Sequence, residues 1–143
     1  MRPNILVIDD DPVIHDVIKA ELKDNYHVYS AMSAAQAFDN LMAIVVNVIL
    51  LDIFMPGVDG FTLLTEIKSV PGYRKIPIIV ISSLDDSYFL HKLRTSVAFG
   101  HVPKPLKKET LIKMIEDALF FSSKYASGPI SENPKLRPLP LVE

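Results

Sequence analysis

Residues 46–60 read VNVILLDIFMPGVDG, an apolar run that ends on Asp52 and is followed closely by the turn-forming residues Met-Pro-Gly. Polar and apolar residues do not alternate within the run, which is typical of a strand buried on both faces of a parallel sheet. An ionised carboxylate at the end of such a strand costs free energy unless a charged group meets it. We therefore expect other segments of the chain to bring charge to Asp52.

Strands of the same kind are predicted elsewhere, separated by segments in which apolar residues recur at helical spacing. The predicted strands are Ile5–Ile8, His27–Ala31, Val45–Leu51, Ile76–Ile81 and His101–Val102. The predicted helices are Pro12–Leu22, Ala34–Met42, Phe61–Lys68, Asp86–Thr95 and Lys108–Phe121. Strand followed by helix, five times over, predicts an α/β fold: a doubly wound five-stranded parallel sheet with helices on both faces.

The composition excludes several classes of protein. The 143 residues are 49% hydrophobic and 22% charged, as expected of one compact globular domain. A net charge of -2 gives no bulk attraction to nucleic acid or anionic lipid, and the absence of cysteine removes thiolate chemistry. The apolar stretch Leu41–Leu51 falls short of the roughly 20 residues that a membrane span needs. We expect a soluble, cytoplasmic domain that binds neither nucleic acid nor membrane.

The chain changes character near Ser122. Residues 122–143 carry four of the 11 prolines and no periodic apolar pattern. This composition is typical of an extended segment. We therefore predict one folded domain over residues 1–121 and a Pro-rich tail or linker over residues 122–143.

Polar residues follow the predicted strands at the point where each one ends. They are Asp9 and Asp10, then Asp52, Ser82 and Lys104. In an open parallel sheet the carboxyl ends of the strands meet at one edge, where ligands bind. Clustered carboxylates without His or Cys at ligand spacing favour Mg²⁺ over zinc. A divalent ion beside a lysine attracts phosphate, and an aspartate can itself become the phosphoryl acceptor.

With these motifs in order, residues 3–121 resemble the receiver domains of bacterial-type two-component response regulators, including the single-domain chemotaxis regulator. The resemblance is carried by Asp9-Asp10 after ILVI, LLDIFMPGVDG around Asp52, Ser82 after IPIIVI, and Lys104-Pro105. It implies a flavodoxin-like fold and a signalling domain rather than an enzyme. The phosphoryl donor would be a sensor histidine kinase or a histidine phosphotransfer protein.

The resemblance also implies a metal site. Asp52 would be the phosphoacceptor, and Asp10 and Asp52 would bind Mg²⁺ directly, with Mn²⁺ able to substitute. Asp9 would act through water, and the backbone carbonyl of Phe54 would complete the protein ligands.

The remaining implied roles concern the response to phosphorylation. Lys104 would hold one phosphoryl oxygen and Ser82 would bind another, moving inward. His101 stands at the position of a rotating switch residue that is usually aromatic. The surface of the fourth helix, fifth strand and fifth helix would then change and dock a downstream protein or effector domain. The chain would act as a monomer or as a phosphorylation-dependent dimer.

Four places in the sequence suggest properties particular to this chain within the family. Phe54 and Leu84 are apolar residues that flank the acceptor, and we hypothesise that they screen the acyl phosphate and slow its hydrolysis. Ser96-Val97-Ala98 stands where the family often has glycine after the fourth helix, so this turn must be built without a positive φ. Pro103 replaces the usual apolar residue before Lys104 and stiffens that strand.

Structural interpretations of the same residues remain open. Asp9 and Asp10 could cap the first helix, although Asp11 suits that role. Lys104 could be solvated on an edge strand where proline is tolerated. Asp59-Gly60 is predicted to be a simple turn. Two histidines in helical stretches, His15 and His91, are predicted to be solvated.

Three other functions compete with signal reception. An aspartyl-nucleophile phosphatase of the haloacid-dehalogenase type carries a general-acid Asp two residues after its nucleophile, where this chain has Phe54. A flavin or nucleotide binder needs a Gly- or Ser/Thr-rich phosphate loop, where this chain has Asp-Asp-Asp-Pro. A receiver-like scaffold without phosphotransfer would be chemically inactive, whereas this chain has all five residues that the site needs.

Overall fold

The structure, a computed structural model, describes residues 2–125. In chain order the elements are β1 (Asn4–Ile8), α1 (Pro12–Leu22), β2 (His27–Ala31), α2 (Ala34–Ala43), β3 (Val48–Asp52), β4 (Phe54–Met55), β5 (Val58–Asp59), α3 (Gly60–Ser69), a 3₁₀ turn (Pro71–Tyr73), β6 (Ile78–Ser82), α4 (Ser87–Arg94), β7 (Gly100–Pro103) and α5 (Lys108–Tyr125). Residues 126–143, most of the predicted tail, lie outside the described residues. None of the described helices is long and apolar enough to cross a membrane.

The predicted doubly wound parallel sheet is confirmed. Its five strands run in the order β2-β1-β3-β6-β7, and every neighbouring pair is parallel. The chain moves outward from β1 to β2 and then crosses to β3 on the other side of β1. This reversal opens a crevice at the carboxyl ends of β1 and β3, where ligands bind in such sheets.

Hydrophobic cores on both faces of the sheet explain why the strand sequences do not alternate. Leu6 and Ile49 belong to one core with α2, α3 and α4, whereas Ile5 and Leu50 belong to the other with α1 and α5. Both sets of strand side chains are fully buried. The strands therefore read as continuous apolar runs because water reaches neither face.

The strand before Asp52 starts later than predicted. It begins at Val48, not Val45, because the preceding residues hydrogen-bond to Asn4 instead of pairing as a strand. The Asn4 backbone N–H donates to Asn47 Oδ1 at 2.8 Å, and Asn4 Nδ2 donates to the Val45 carbonyl at 2.7 Å. The side chain of Val45 is consequently 77% exposed. The Asn4–Asn47 contacts join the amino ends of β1 and β3.

Helix α1 buries a different stripe from the apolar residues that mark it in the sequence. Val13 is 62% exposed and Val17 is 37% exposed, whereas His15, Ile18 and Leu22 are buried. The prediction that His15 is solvated is therefore wrong, while the exposed His91 agrees with expectation. The helix orients by the whole set of contacts it makes with the sheet, and His15 lies one turn before Ile18 on the inner side.

Two ends of helices also bear on the predictions. The turn after α4 is built without a left-handed residue: Ser96 Oγ donates to the Leu93 carbonyl at 2.7 Å and accepts from the Ala98 N–H at 3.2 Å. The last helix continues to Tyr125, four residues beyond its predicted end at Phe121.

Candidate functional site

Asp52 is the last residue of β3 and is 4% exposed. Its Oδ1 accepts a hydrogen bond from the Phe54 backbone N–H at 3.0 Å. Burial raises the pKa of Asp52, and the Asp9 charge adds to this effect, while the Phe54 N–H and the Lys104 ammonium act against it. The Asp52 carboxylate thus lies at the crevice, where burial and the neighbouring Asp9 charge make its ionised form less favourable.

Two further carboxylates lie beside Asp52. Carboxylate oxygens of Asp9, Asp10 and Asp52 all fall within 4.8 Å of one another. Asp9 is fully buried, and its Oδ1 accepts from the Asp11 backbone N–H at 2.9 Å, whereas Asp10 is exposed. Three oxygen donors at strand ends, one of them open to solvent, fit a hard divalent cation such as Mg²⁺.

Lys104 neutralises part of this charge. Its Nζ lies 3.1 Å from Asp9 Oδ2 and 3.5 Å from Asp52 Oδ2, and its side chain is 21% exposed. Burial alone would disfavour the ammonium, but the hydrogen bond to Asp9 and the charge of Asp52 outweigh it and raise the pKa of Lys104. The alternative prediction, that Lys104 is solvated on an edge strand, is therefore wrong.

Ser82 ends β6, the strand beside β3, and is 1% exposed. Its Oγ accepts from the Leu84 backbone N–H at 3.0 Å. Its carbonyl accepts from the Lys104 N–H at 3.0 Å, which connects the end of β6 to the segment that carries the lysine. The hydroxyl thus lies on the strand next to that of Asp52 and is hydrogen-bonded by the loop that leads to α4.

The residues predicted to modulate the site differ in exposure. The Phe54 side chain is 74% exposed, whereas Leu84 is half-buried and packs against the core. His101 is 4% exposed, and its ring meets Phe89 edge-on with centroids 5.3 Å apart. Neither ring nitrogen of His101 has a hydrogen-bond partner among the described residues. Burial lowers the pKa of His101, and the Ser82 backbone, which is near the ring although outside hydrogen-bond geometry, opposes only part of this shift.

A short antiparallel hairpin begins two residues after Asp52, and the sequence did not reveal it. Strands β4 and β5 pair through Phe54–Asp59 and Met55–Val58, with Gly57 at φ 73° in the turn. Asp59 caps α3 by accepting from the Phe61 N–H at 3.0 Å. A Cβ on Gly60 would lie 2.4 Å from the Cα of Ile53. Asp59-Gly60 is therefore more than the simple turn that was predicted.

Asp11 takes the capping role at the start of α1. Its Oδ1 accepts from the Val13 backbone N–H at 2.9 Å. This leaves the side chains of Asp9 and Asp10 free of the capping function considered for them, and both lie in the cluster with Asp52. The capping interpretation of the pair is therefore wrong.

His15 is the neighbour of the site that sequence reasoning missed. Its Nε2 lies 2.7 Å from the Asp9 carbonyl oxygen. Its spacing of three residues from Ile18 and seven from Leu22 was the available signal, since residues at these intervals share one face of a helix. The apolar residues Val13 and Val17 obscured this signal, because they suggest a different buried face for α1.

Comparison with known proteins places this geometry in a family. A family model described as the response regulator receiver domain matches residues 5–116. Response regulator RR06 of Streptococcus pneumoniae is 33% identical over 114 residues, which are 79% of this chain and 51% of RR06. The chain therefore spans about half the length of this relative.

Two further matches extend the comparison. Sensor histidine kinase TmoS of Ectopseudomonas mendocina is 26% identical over 110 residues, 77% of this chain and 11% of the kinase. The chemotaxis protein CheY4 of Vibrio cholerae superimposes with a TM-score of 0.77 at 24% identity, over 83% of this chain and 100% of CheY4, and supports the fold alone. The family match covers most of the chain, and we conclude that the protein belongs to the response regulator receiver domains, the phosphoaccepting signalling modules of two-component systems.

Proposed function

We propose that Asp52 is the phosphoacceptor of this receiver domain. The observation that carries the proposal is the convergence of Asp9, Asp10 and Asp52 within 4.8 Å, with Lys104 Nζ 3.5 Å from Asp52 Oδ2. Asp52 is the central member, because it lies at the carboxyl end of the middle strand of the sheet. Receiver domains are phosphorylated by histidine kinases, and the donor here is a sensor histidine kinase or a histidine phosphotransfer protein.

The transfer needs positioning and charge neutralisation more than covalent machinery. A carboxylate oxygen of Asp52 attacks phosphorus in line with the P–N bond of the phosphohistidine. The new P–O bond forms as the P–N bond breaks, and the departing imidazole nitrogen takes a proton from solvent. The product on Asp52 is an acyl phosphate.

Receiver domains bind Mg²⁺ at an acidic pocket, and the donor set of this chain suits it. Asp10 and Asp52 would hold the ion directly, Asp9 through water, and the Phe54 carbonyl would add a backbone ligand. The ion, or Mn²⁺ in its place, supplies positive charge that the phosphoryl oxygens need. Lys104 neutralises a further phosphoryl oxygen, which its distance of 3.5 Å from Asp52 supports.

The effect of phosphorylation would then reach β7, the outermost strand on one side of the sheet, through Ser82 and His101. Ser82 binds a phosphoryl oxygen and draws the β6–α4 loop inward, and His101 of β7 responds to the space beside α4. A downstream protein or effector domain docks on the surface formed by α4, β7 and α5, where Tyr88 is 73% exposed. The chain acts there as a monomer or as a phosphorylation-dependent dimer.

The lifetime of the acyl phosphate is set in part by Phe54 and Leu84. Neither side chain can hydrogen-bond a water molecule for attack on phosphorus. The double variant Phe54→Asn/Leu84→Glu is expected to shorten the half-life of the phosphorylated protein. Phe120→Asn, which changes an exposed phenylalanine on α5, is the control. A half-life equal to that of the parent would end this part of the proposal.

The deciding experiment is incubation with a small acyl phosphate donor and Mg²⁺, followed by intact mass measurement. One phosphoryl adduct on the parent and none on Asp52→Ala is the expected result. Continued release of phosphate over many turnovers would instead indicate the phosphatase, which needs an acid that Phe54 does not provide. Absence of any adduct, in a protein that remains folded by circular dichroism, would indicate a scaffold without phosphotransfer.

A further inference from the structure

The imidazole of His15 is buried against the backbone of the acidic pair. The residue is 4% exposed, and its Nε2 lies 2.7 Å from the Asp9 carbonyl oxygen. A carbonyl oxygen only accepts hydrogen bonds, so Nε2 carries the hydrogen and donates it. The other ring nitrogen, Nδ1, is buried without a hydrogen-bond partner among residues 2–125.

Packing alone does not account for a histidine at this position. Its neighbours on the inner stripe of α1 are Ile18 and Leu22, both essentially inaccessible to solvent. A buried polar atom without a partner destabilises the folded state, and an apolar residue at position 15 would avoid that cost. The contact with Asp9 is what the imidazole adds and an apolar side chain would not.

That contact completes a set of restraints on Asp9. Its backbone N–H donates to the Ala31 carbonyl at 3.1 Å, and its side chain accepts from the Asp11 N–H at 2.9 Å and from Lys104 Nζ at 3.1 Å. The hydrogen bond from His15 holds the remaining polar group of Asp9, the carbonyl. This carbonyl belongs to the peptide group that joins Asp9 to Asp10.

The orientation of this peptide group decides where Asp10 points. Asp10 is exposed, so its carboxylate is not packed in place by a surrounding core. Its distance from Asp52 therefore depends on the backbone that carries it. Groups that orient metal ligands from behind commonly change metal affinity by about 10–100-fold when they are removed.

We propose that His15 is a positioning residue, which fixes the Asp9–Asp10 peptide group and thereby sets the affinity of the acidic cluster for a divalent cation. The inference rests on the proposed function, because it assigns His15 a role toward the same cation site. His15 touches neither the cation nor the phosphoryl group, and acts only through the backbone of Asp9.

The test compares two substitutions of similar length that differ in a hydrogen-bond donor. His15→Met removes the donor, and His15→Gln keeps an amide N–H. Mg²⁺ binding is measured by isothermal titration calorimetry without any phosphoryl donor. We expect about a tenfold rise in the dissociation constant for His15→Met and a value near that of the parent for His15→Gln. Ile18→Val, one turn further along the same stripe, controls for a general loss of packing.

A second measurement separates positioning from damage to the site. The concentration of Mg²⁺ that half-saturates Asp52 phosphorylation should rise in His15→Met, while the rate at saturating Mg²⁺ should equal that of the parent. A folded His15→Met variant with parental Mg²⁺ affinity would overturn the inference. If that variant does not fold, a tenfold weaker affinity in His15→Gln does the same, since its donor is retained. A parent protein that binds no Mg²⁺ would instead remove the proposed function.

Discussion

Two regions beside the sheet bury polar side chains in opposite ways. In the acidic pocket, Asp9, Asp52 and Ser82 are almost inaccessible to solvent, and each one has a hydrogen-bond or ion-pair partner. Beside α4, His101 is equally buried, yet neither of its ring nitrogens has a hydrogen-bond partner among the described residues.

The two regions differ in how their buried polar groups are restrained: those of the acidic pocket have partners, whereas the ring nitrogens of His101 have none among the described residues. Partnered polar groups rigidify their surroundings, because moving one of them breaks its hydrogen bonds. An unpartnered imidazole loses no such bond when it turns toward water, and it regains hydration. The acidic pocket is therefore the more tightly restrained of the two regions, and the His101 ring can turn at a smaller cost in hydrogen bonds.

Gly60 gives the largest test of the rigid region. Gly60→Ala would put a Cβ 2.4 Å from the Cα of Ile53, which is backbone and cannot turn aside. We expect a loss of about 3 kcal/mol in the free energy of unfolding, measured by chemical denaturation. Gly72→Ala is the matched control, because nothing lies within 4 Å of its added Cβ. Equal stability of the two variants would show that the Ile53 backbone, which directly follows Asp52, can move aside.

Lys104 gives a smaller test of the same pocket. Lys104→Met leaves Asp9 and Asp52 without their ammonium partner, and should cost about 2 kcal/mol in EDTA. Mg²⁺ should recover part of this loss, because the ion replaces positive charge among the carboxylates. Lys113→Met, which removes a lysine whose side chain is 72% exposed, should cause no measurable change. A Lys104→Met loss that Mg²⁺ does not reduce would contradict the proposed charge balance.

His101 gives the smallest effect and the one that depends on pH. Burial lowers its pKa below the ordinary value of 6.5, so the unfolded chain takes up a proton first as the pH falls. The stability present above that ordinary value is therefore lost as the pH drops from 6.5 toward the lowered pKa.

Replacing the ring with phenylalanine removes both the unpartnered nitrogens and the titration. His101→Phe should raise the free energy of unfolding by about 1 kcal/mol near neutral pH, and by more at about pH 5. Denaturation curves at the two pH values measure this, with the exposed His91→Gln as control. A pH dependence identical to that of the parent would mean that His101 is not the group that titrates.

Much of the site followed from where strands end in the sequence. Asp9, Asp10, Asp52, Ser82 and Lys104 each come directly after an apolar run, or one residue beyond it. The sheet then brings the ends of those runs to one edge, since parallel strands share a direction. The hairpin of β4 and β5 was missed because each strand has only two residues and no periodicity to detect.

His15 shows why the rest could not be predicted. Val13, Ile14 and Val17 compete with it for the inner face of α1, and residue type alone favours the valines. In the structure Ile14 is partly buried against the core, whereas both valines are turned toward solvent.

Local sequence was enough to predict the alternation of strands and helices and the residues that stand at strand ends, because both depend on neighbours only a few positions away. Tertiary structure alone decided that Lys104 lies 3.1 Å from a carboxylate 95 residues earlier, that His15 faces the backbone of Asp9, and that His101 is buried without partners. These contacts depend on how the helices rotate and where the edge strand docks. Those choices minimise the free energy of the whole packed chain, and a local pattern such as the spacing of His15 from Ile18 does not decide between them.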